Sequence, residues 1–234
     1  MYCEIIHNAH AFTKELVKVK TVPHRTVGRL TLYWRTLRDI AREDQSHIYS
    51  HFLASRCGVT AAQVRRDLMV LGYTGTPARG YDVRKLKDHI EAFLFPAEEQ
   101  KAVLAGVGNI GRALLKFFSA RRPALRIAAS FETNPDKFNR VIQGCPCHSI
   151  GKAEGIIRDL GATVGIIAVP DEEAQFVADV FVAAGIRGIL NFARAPLSVP
   201  PAVYVEDIDL AMSMDKVAYF ARQSLKSDRP KAVH

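Results

Sequence analysis

Gly106, Gly108 and Gly111 lie in "LAGVGNIGRALLKFF" (104–118) at a G-x-G-x-x-G spacing. Each glycine has its own mechanical task. The first permits a tight strand-to-helix turn, the second lets a pyrophosphate approach the backbone, and the third lets helix and strand pack closely. The helix that starts inside the motif offers unpaired N–H groups and its positive dipole end to an anion. Val107, Asn109 and Ile110 complete the turn and join the glycines as candidate cofactor contacts. The apolar run "AVLAG" (102–106) leads into the turn, and Glu132 closes the next such run, "RIAASF" (126–131), 21 positions after Gly111. A carboxylate there accepts hydrogen bonds from an adenosine ribose and repels a 2′-phosphate, so NAD(H) is expected over NADP(H). Val169-Pro170 and Asn191-Phe192 end two later apolar runs. Ligands of parallel sheets lie outside the carboxyl ends of the strands, which makes these four residues candidates for the nicotinamide side.

A second constellation, "GVTAAQVRRDLMVLG" (58–72), points to different chemistry. Gly58 turns the chain and Thr60 can cap the following helix. That helix buries Ala61, Val64, Leu68 and Leu71, exposes Gln63, Arg65, Arg66 and Asp67 to varying degrees, and ends at Gly72. "YTGTPARGYDV" (73–83) reads as two short strands around a turn. Upstream, "VGRLTLYWRTLRDIARED" places Leu30, Tyr33, Trp34, Leu37 and Ile40 at helical spacing, and "SHIYSHFLASR" (46–56) is a short amphipathic helix with Ser46 as its cap. "VRKLKDHIEAFL" (83–94) is a last helix before Pro96. Three helices, a hairpin and a further helix describe a winged helix-turn-helix, whose second helix is poised for a DNA major groove. Thr60, Gln63, Arg65, Arg66, Arg79 and Tyr81 are the candidate DNA contacts.

Charge supports that reading. The net charge is +8, and residues 1–95 hold 15 Lys/Arg against 9 Asp/Glu, whereas residues 96–234 hold 17 against 15. The basic excess sits with the helix-turn-helix and suits a phosphate-rich partner such as double-stranded DNA.

Beyond Lys101, apolar β-branched runs alternate with helical ones, ending with "TVGIIAV" (163–169) and "GILNF" (188–192), which implies a parallel sheet covered on both faces, a Rossmann-type α/β domain. "AVYVEDIDL" adds an edge strand. "DIDLAMSMDKVAYFARQ" (207–223) carries Leu210, Met214, Val217 and Phe220 on one stripe, which must pack on the rest of the fold or on a second copy of the chain. The expected organisation is a basic tail (1–22), a winged-helix DNA-binding domain (23–95), a Rossmann NAD(H)-binding domain (97–206) and a C-terminal dimerisation helix with its tail (207–234).

The hydrophobic fraction of 48% argues for a folded chain. No apolar run is long enough to span a membrane, and the first residues lack the pattern of a secretory signal, so a cytoplasmic location is expected. The four cysteines are too few and too unevenly placed for a disulfide framework. Cys145-Pro146-Cys147-His148 is half a metal site at most, and with no second cluster these read as small buried residues in a loop, with no metal assigned.

A dehydrogenase needs a substrate site and a proton donor or acceptor near the hydride. After the glycine motif the histidines are His148 and His234, and Lys152 and Arg194 have nothing to close over them. A winged helix takes the place of a substrate domain. The dinucleotide is therefore expected to be sensed, and no catalytic residue is assigned. Two alternatives stay open: a small NAD-dependent oxidoreductase, and a nucleotide-binding scaffold that never touches DNA.

The chain resembles the Rex family of redox-sensing transcriptional repressors from about Val22 to Gln223. "VPHRTVGRLTLYWRTL" is similar to that family's first helix, "VRRDL" to its recognition helix, "GVGNIGRAL" to its NAD turn, "AAGIRGILNFA" to its late βα unit and "VEDIDL" to the start of its terminal helix. The resemblance implies a homodimer on an inverted-repeat operator, released by NADH while NAD⁺ competes for the same site. It implies a domain-swapped terminal helix that crosses to the partner subunit, and a coupling role for Arg29 and Asp209. Three departures stand out. Phe131-Glu132 replaces Phe-Asp, Thr76-Pro77 stands where the wing carries consecutive basic residues, and Phe117 replaces a tyrosine. Without that hydroxyl, coupling through Arg29 and Asp209 needs another arrangement.

Overall fold

The computed structural model describes residues 22–43, 45–95, 98–119 and 125–227; the basic tail expected at 1–22 lies, except for Val22, outside them. The chain divides into two compact units, Met1–Pro96 and Ala97–His234. Among the described residues, no helix is long and apolar enough to cross a membrane.

The first unit comprises α1 (His24–Ile40), β1 (His47–Ile48), α2 (Ser50–Cys57), α3 (Ala61–Val70), β2 (Tyr81–Asp82) and α4 (Val83–Leu94). Leu30, Tyr33, Leu37 and Ile40 recur at helical spacing on α1 and are buried with Val83, Leu86 and Ile90 of α4 and Val64 and Leu68 of α3. Gly58 ends α2 at φ +64°, a left-handed conformation that favours glycine. The Thr60 hydroxyl then accepts the Gln63 N–H at 3.1 Å and caps α3, as expected from sequence. The second helix of the turn is thus set off from the first by a glycine stop and a threonine start.

Two local expectations are corrected. Helix α2 starts at Ser50 rather than near Ser46, because His47 and Ile48 are drawn into an antiparallel pair with Asp82 and Tyr81. Tyr49 stands at its N-cap without a side-chain cap bond. The wing is correspondingly smaller than two self-paired strands. A single bridge joins Thr76 and Gly80, and β2 pairs with β1 instead.

Asp67 is also corrected. It was expected on the polar face of α3, yet its side chain is only 2% exposed. Arg29 grips it with two nitrogens at 2.7 Å each. The Tyr33 hydroxyl donates to it at 2.9 Å and the Gln63 amide at 2.9 Å. Burial works against its ionised form, but the hydrogen bonds of Arg29, Gln63 and Tyr33 outweigh that and hold the carboxyl below its ordinary range.

The second unit comprises β3 (Gln100–Ala105), α5 (Asn109–Ser119), β4 (Leu125–Glu132), β5 (Arg140–Ile142), β6 (Cys145–Ser149), α6 (Ala153–Leu160), β7 (Val164–Ile167), α7 (Asp171–Ala184), β8 (Gly188–Asn191), β9 (Tyr204–Asp207) and α8 (Leu210–Ser227). Its seven strands run in the order β5-β6-β4-β3-β7-β8-β9, all parallel except the antiparallel β5–β6 pair. Phe131, Ile157 and Phe181 centre the core toward α6 and α7, and Leu104, Leu115 and Ile166 the core toward α5. The sheet is covered on both faces and β9 is the expected edge strand. The Cys-Pro-Cys stretch is a strand rather than a loop. Cys145 and Cys147 point into the α5-side core, where burial pushes the Cys145 thiol up to about 11. Such thiols are unreactive.

The fork on Asp67 yields a prediction. Asp67→Ala leaves Arg29 and the buried Tyr33 hydroxyl without their acceptor and is expected to destabilise this unit by about 2–4 kcal/mol. Trp34, the one tryptophan of the chain, lies in this unit and reports its urea unfolding by fluorescence. Because the folded carboxyl titrates below its unfolded value, its contribution is complete at neutral pH. It is lost as pH falls below about 4, so wild type and Asp67→Ala should converge in acid.

Candidate functional site

The glycine turn connects β3 to α5. Gly106 has φ +89°, and a Cβ there would lie 2.3 Å from the Ala168 carbonyl oxygen. A Cβ on Gly111 would lie 1.9 Å from the Gly106 carbonyl oxygen. Only hydrogen fits at either place, which locks the turn between β3, α5 and the end of β7. Gly108 differs: a Cβ there meets nothing within 4 Å. Its backbone faces open space at the N-terminus of α5, so the turn fits an anion such as a pyrophosphate. Val107 is buried behind the turn, while Asn109 and Ile110 are exposed at its rim.

The other expected cofactor residues divide. Val169 is half-buried and Pro170 exposed, where β7 gives way to α7, and Phe192 is half-buried beyond β8. Asn191 is fully buried. Its amide donates to Ala195 O at 3.1 Å and to the Asp207 carboxylate at 2.8 Å, and its carbonyl oxygen accepts from Ala193 N at 3.0 Å. It ties the end of β8 to β9, so its side-chain hydrogen bonds are satisfied inside the fold.

Glu132 stands at the end of β4 as expected, but its carboxylate is engaged within the chain. One oxygen accepts from Val107 N at 3.1 Å and from Lys137 Nζ at 2.5 Å; the other accepts from Thr133 N at 3.0 Å and Asn134 N at 3.3 Å. Burial opposes ionisation, yet Lys137 and the three amides outweigh it and hold the carboxyl below its ordinary range. The sequence reading missed Lys137. Its signal was "NPDK": Asn134 accepts from Asp136 N at 2.9 Å, capping a short turn over Pro135–Lys137 that brings the lysine back onto Glu132.

In the first unit, Arg66 on α3 and Arg79 in the wing are exposed. Arg65 is exposed and donates to the Ser50 hydroxyl at 3.1 Å, bracing α3 on α2. Thr60 and Gln63 are held by the cap and by Asp67, so each is partly committed to the fold. Tyr81 is the least exposed of the candidate DNA contacts. It is 9% exposed, and a Cβ on Gly75 would lie 2.7 Å from its ring, so the wing closes over it. The expected coupling residues lie in different units. Arg29 is held by Asp67 of the reading helix, and Asp209 caps α8 by accepting from Met212 N at 2.7 Å.

Fold and site define a helix-turn-helix protein with a Rossmann-type dinucleotide domain. Comparison with known proteins agrees. Residues 21–68 match a family model for the N-terminus of putative DNA-binding proteins, and residues 97–195 match the CoA binding domain model. The chain is 38% identical over 212 residues to the redox-sensing transcriptional repressor Rex of Roseiflexus sp. strain RS-1, covering 91% of this chain and 96% of that protein. It is 36% identical to the Rex of Streptomyces coelicolor, covering 85% of this chain and 77% of that one. The crystal structure of RSP, a Rex-family repressor, superposes with a TM-score of 0.78 at 29% identity, covering 87% of this chain and 95% of that one. RSP in complex with NAD⁺ and operator DNA gives 0.79 at 30%, covering 88% and 98%. The chain belongs to the Rex family of redox-sensing transcriptional repressors. These relatives are named repressors rather than enzymes, which leaves the oxidoreductase alternative without support.

The two outer glycines and the middle one should respond differently to substitution. Gly111→Ala drives a methyl group into the Gly106 carbonyl and is expected to destabilise the second unit by about 1–3 kcal/mol. Gly108→Val has room and should leave thermal melting by circular dichroism unchanged. It should weaken dinucleotide binding by about tenfold or more, since it fills the open space that the backbone needs for close approach.

Proposed function

We propose that this chain is a repressor that binds an inverted-repeat operator in double-stranded DNA as a homodimer and is released by NADH, with NAD⁺ competing for the same site. The observation that carries the nucleotide part is the open backbone at Gly108 beside the N-terminus of α5. RSP, a family member, has been crystallised with NADH and with NAD⁺ plus operator DNA. The site proposed for NAD(H) is Gly106 to Gly111 with Glu132, Val169, Pro170 and Phe192. NADH regulates as an effector and no chemistry on it is invoked. A ligand shifts the DNA-binding equilibrium only by its difference in affinity for the two states, so NADH must favour the released state more than NAD⁺ does.

Arg66 is proposed to read the operator with Arg65, and Arg79 to hold the backbone from the wing. The guanidinium fork suits guanine edges and phosphates alike. Thr76 and Pro77 offer no charge, so Arg79 is the wing residue that supplies one.

The dimer reading rests on α8. Leu210, Met214, Val217 and Phe220 are each more than 60% exposed. The same unit exposes Ile110, Ala113 and Phe117 on α5 at helical spacing. Apolar stripes of this size mark an interface. A terminal helix exchanged between two copies would cover both, and Asp209 at its start would then reach the partner. Arg29 is proposed to answer it, through Asp67 and the reading helix. Phe117 contributes packing there and no hydroxyl. The cytoplasm is the proposed location.

Two measurements test this. Titrating NADH and NAD⁺ in parallel against a complex with the protein's own promoter DNA should show release by NADH at concentrations where NAD⁺ leaves the complex intact; equal displacement would remove the redox reading. In the same gel-shift assay at moderate salt, Arg66→Ala is expected to weaken operator binding by about 1–3 kcal/mol.

A further inference from the structure

The residues around Glu132 carry an inference about which dinucleotide the turn accepts; it rests on the reading that the turn holds one. A carboxylate has about four lone-pair sites. In this chain four donors use them: the amides of Val107, Thr133 and Asn134, and the Lys137 ammonium. Three of those donors are backbone groups that the end of β4, its following turn and the glycine turn hold in place. Lys137 is the only one of the four that can leave without moving the backbone. Its side chain is 26% exposed and Glu132's is 11% exposed, so the lysine lies on the open side of the pair. Lys137 Nζ also reaches the Val107 carbonyl oxygen at 3.4 Å, which places its charge against the glycine turn itself.

We propose that Lys137 is a latent 2′-phosphate cation held in check by Glu132, so that the pair, rather than the carboxylate alone, sets the choice between NAD(H) and NADP(H).

The end of β4 is where the adenosine ribose of a dinucleotide lies in a Rossmann-type domain. An unesterified ribose diol is neutral. It can share the Glu132 acceptor with Lys137, and the ion pair stays intact. A 2′-phosphate monoester brings roughly two negative charges. It is accepted only if Lys137 turns from Glu132 to the phosphate, which strands a largely buried carboxylate beside a second anion. The ion pair therefore penalises the phosphate twice, by withholding the cation and by leaving the carboxylate unneutralised. Remove the negative partner and the penalty inverts, because Lys137 then faces the phosphate uncommitted.

The test uses the full-length protein, NADH and NADPH as probes, and their own fluorescence to obtain both dissociation constants. Glu132→Gln keeps an acceptor for the Val107 amide and should raise affinity for NADPH relative to NADH by about tenfold or more, as expected for a gained charge-assisted contact. In Glu132→Gln/Lys137→Gln that gain should fall to within about threefold of wild type, and Glu132→Gln/Lys137→Arg should retain it. Equal gains with and without the cation would overturn the proposal, because Glu132 alone would then exclude the phosphate. No gain in Glu132→Gln, with thermal melting unchanged, would overturn it as well. Wild type that binds NADH with ratios unmoved by the variants removes this inference only. Wild type that binds neither nucleotide removes the reading beneath it too.

Discussion

A carboxylate taken out of water must be surrounded by donors or it will not stay ionised, and this chain buries one behind each of its two working surfaces. Asp67 lies beneath the reading helix and collects the Arg29 fork, the Tyr33 hydroxyl and the Gln63 amide. Glu132 lies beneath the glycine turn and collects three backbone amides and Lys137. Each group is held ionised by its donors rather than by solvent. Asp67 ties α3 to α1, and Glu132 ties the turn after β3 to the end of β4.

The consequence differs between the two. Around Asp67 two of the donors, Arg29 and Tyr33, are side chains of α1, 38 and 34 residues away in sequence, so the reading helix takes its position from α1. Anything that draws on the Arg29 guanidinium therefore acts on α3. That is the physical basis for the coupling role proposed for Arg29. Around Glu132 three of the four donors are backbone amides, Val107 of the glycine turn and Thr133 and Asn134 after β4. The carboxylate thus holds the glycine turn against the end of β4. The residue expected from sequence to meet the ribose is, in the folded chain, also half of an ion pair with Lys137.

What could be seen in the sequence was what is local. The four central strands, the glycine turn, the Thr60 cap and the apolar stripe of α8 are patterns within a dozen residues, and propensity and periodicity act over that range. What could not be seen was decided by partners far along the chain. Asp67 sits on a polar stretch of α3 and looks exposed until Arg29 is brought beside it. Ser46 is a better cap residue than Tyr49, yet the pairing of His47 and Ile48 with β2 moves the helix start. Tyr81 looks like an exposed wing aromatic until the turn around Gly75 covers it. Strand β6 was hidden by Pro146 and by two cysteines, residues that read as loop until strand β4 supplies their pairing. Asn191 ends a strand where ligands lie, but Asp207, 16 residues on, claims its amide first.

The α8 stripe shows the same rule from the other side. Its spacing is as regular as that of α1, whose stripe is fully buried in the first unit. The two helices differ only in whether one chain contains the surface that completes them. Leu210, Met214, Val217 and Phe220 would each contribute on the order of 1.5–3 kcal/mol on full burial, which favours a covering surface over water. The Ile110, Ala113 and Phe117 stripe begins in the helix that opens on the nucleotide, so a copy of α8 seated there would touch the nucleotide helix along its length. A dimer built that way would need no separate relay between ligand and interface, because the helix whose N-terminus is proposed to meet the phosphates would also present its outer face to the partner.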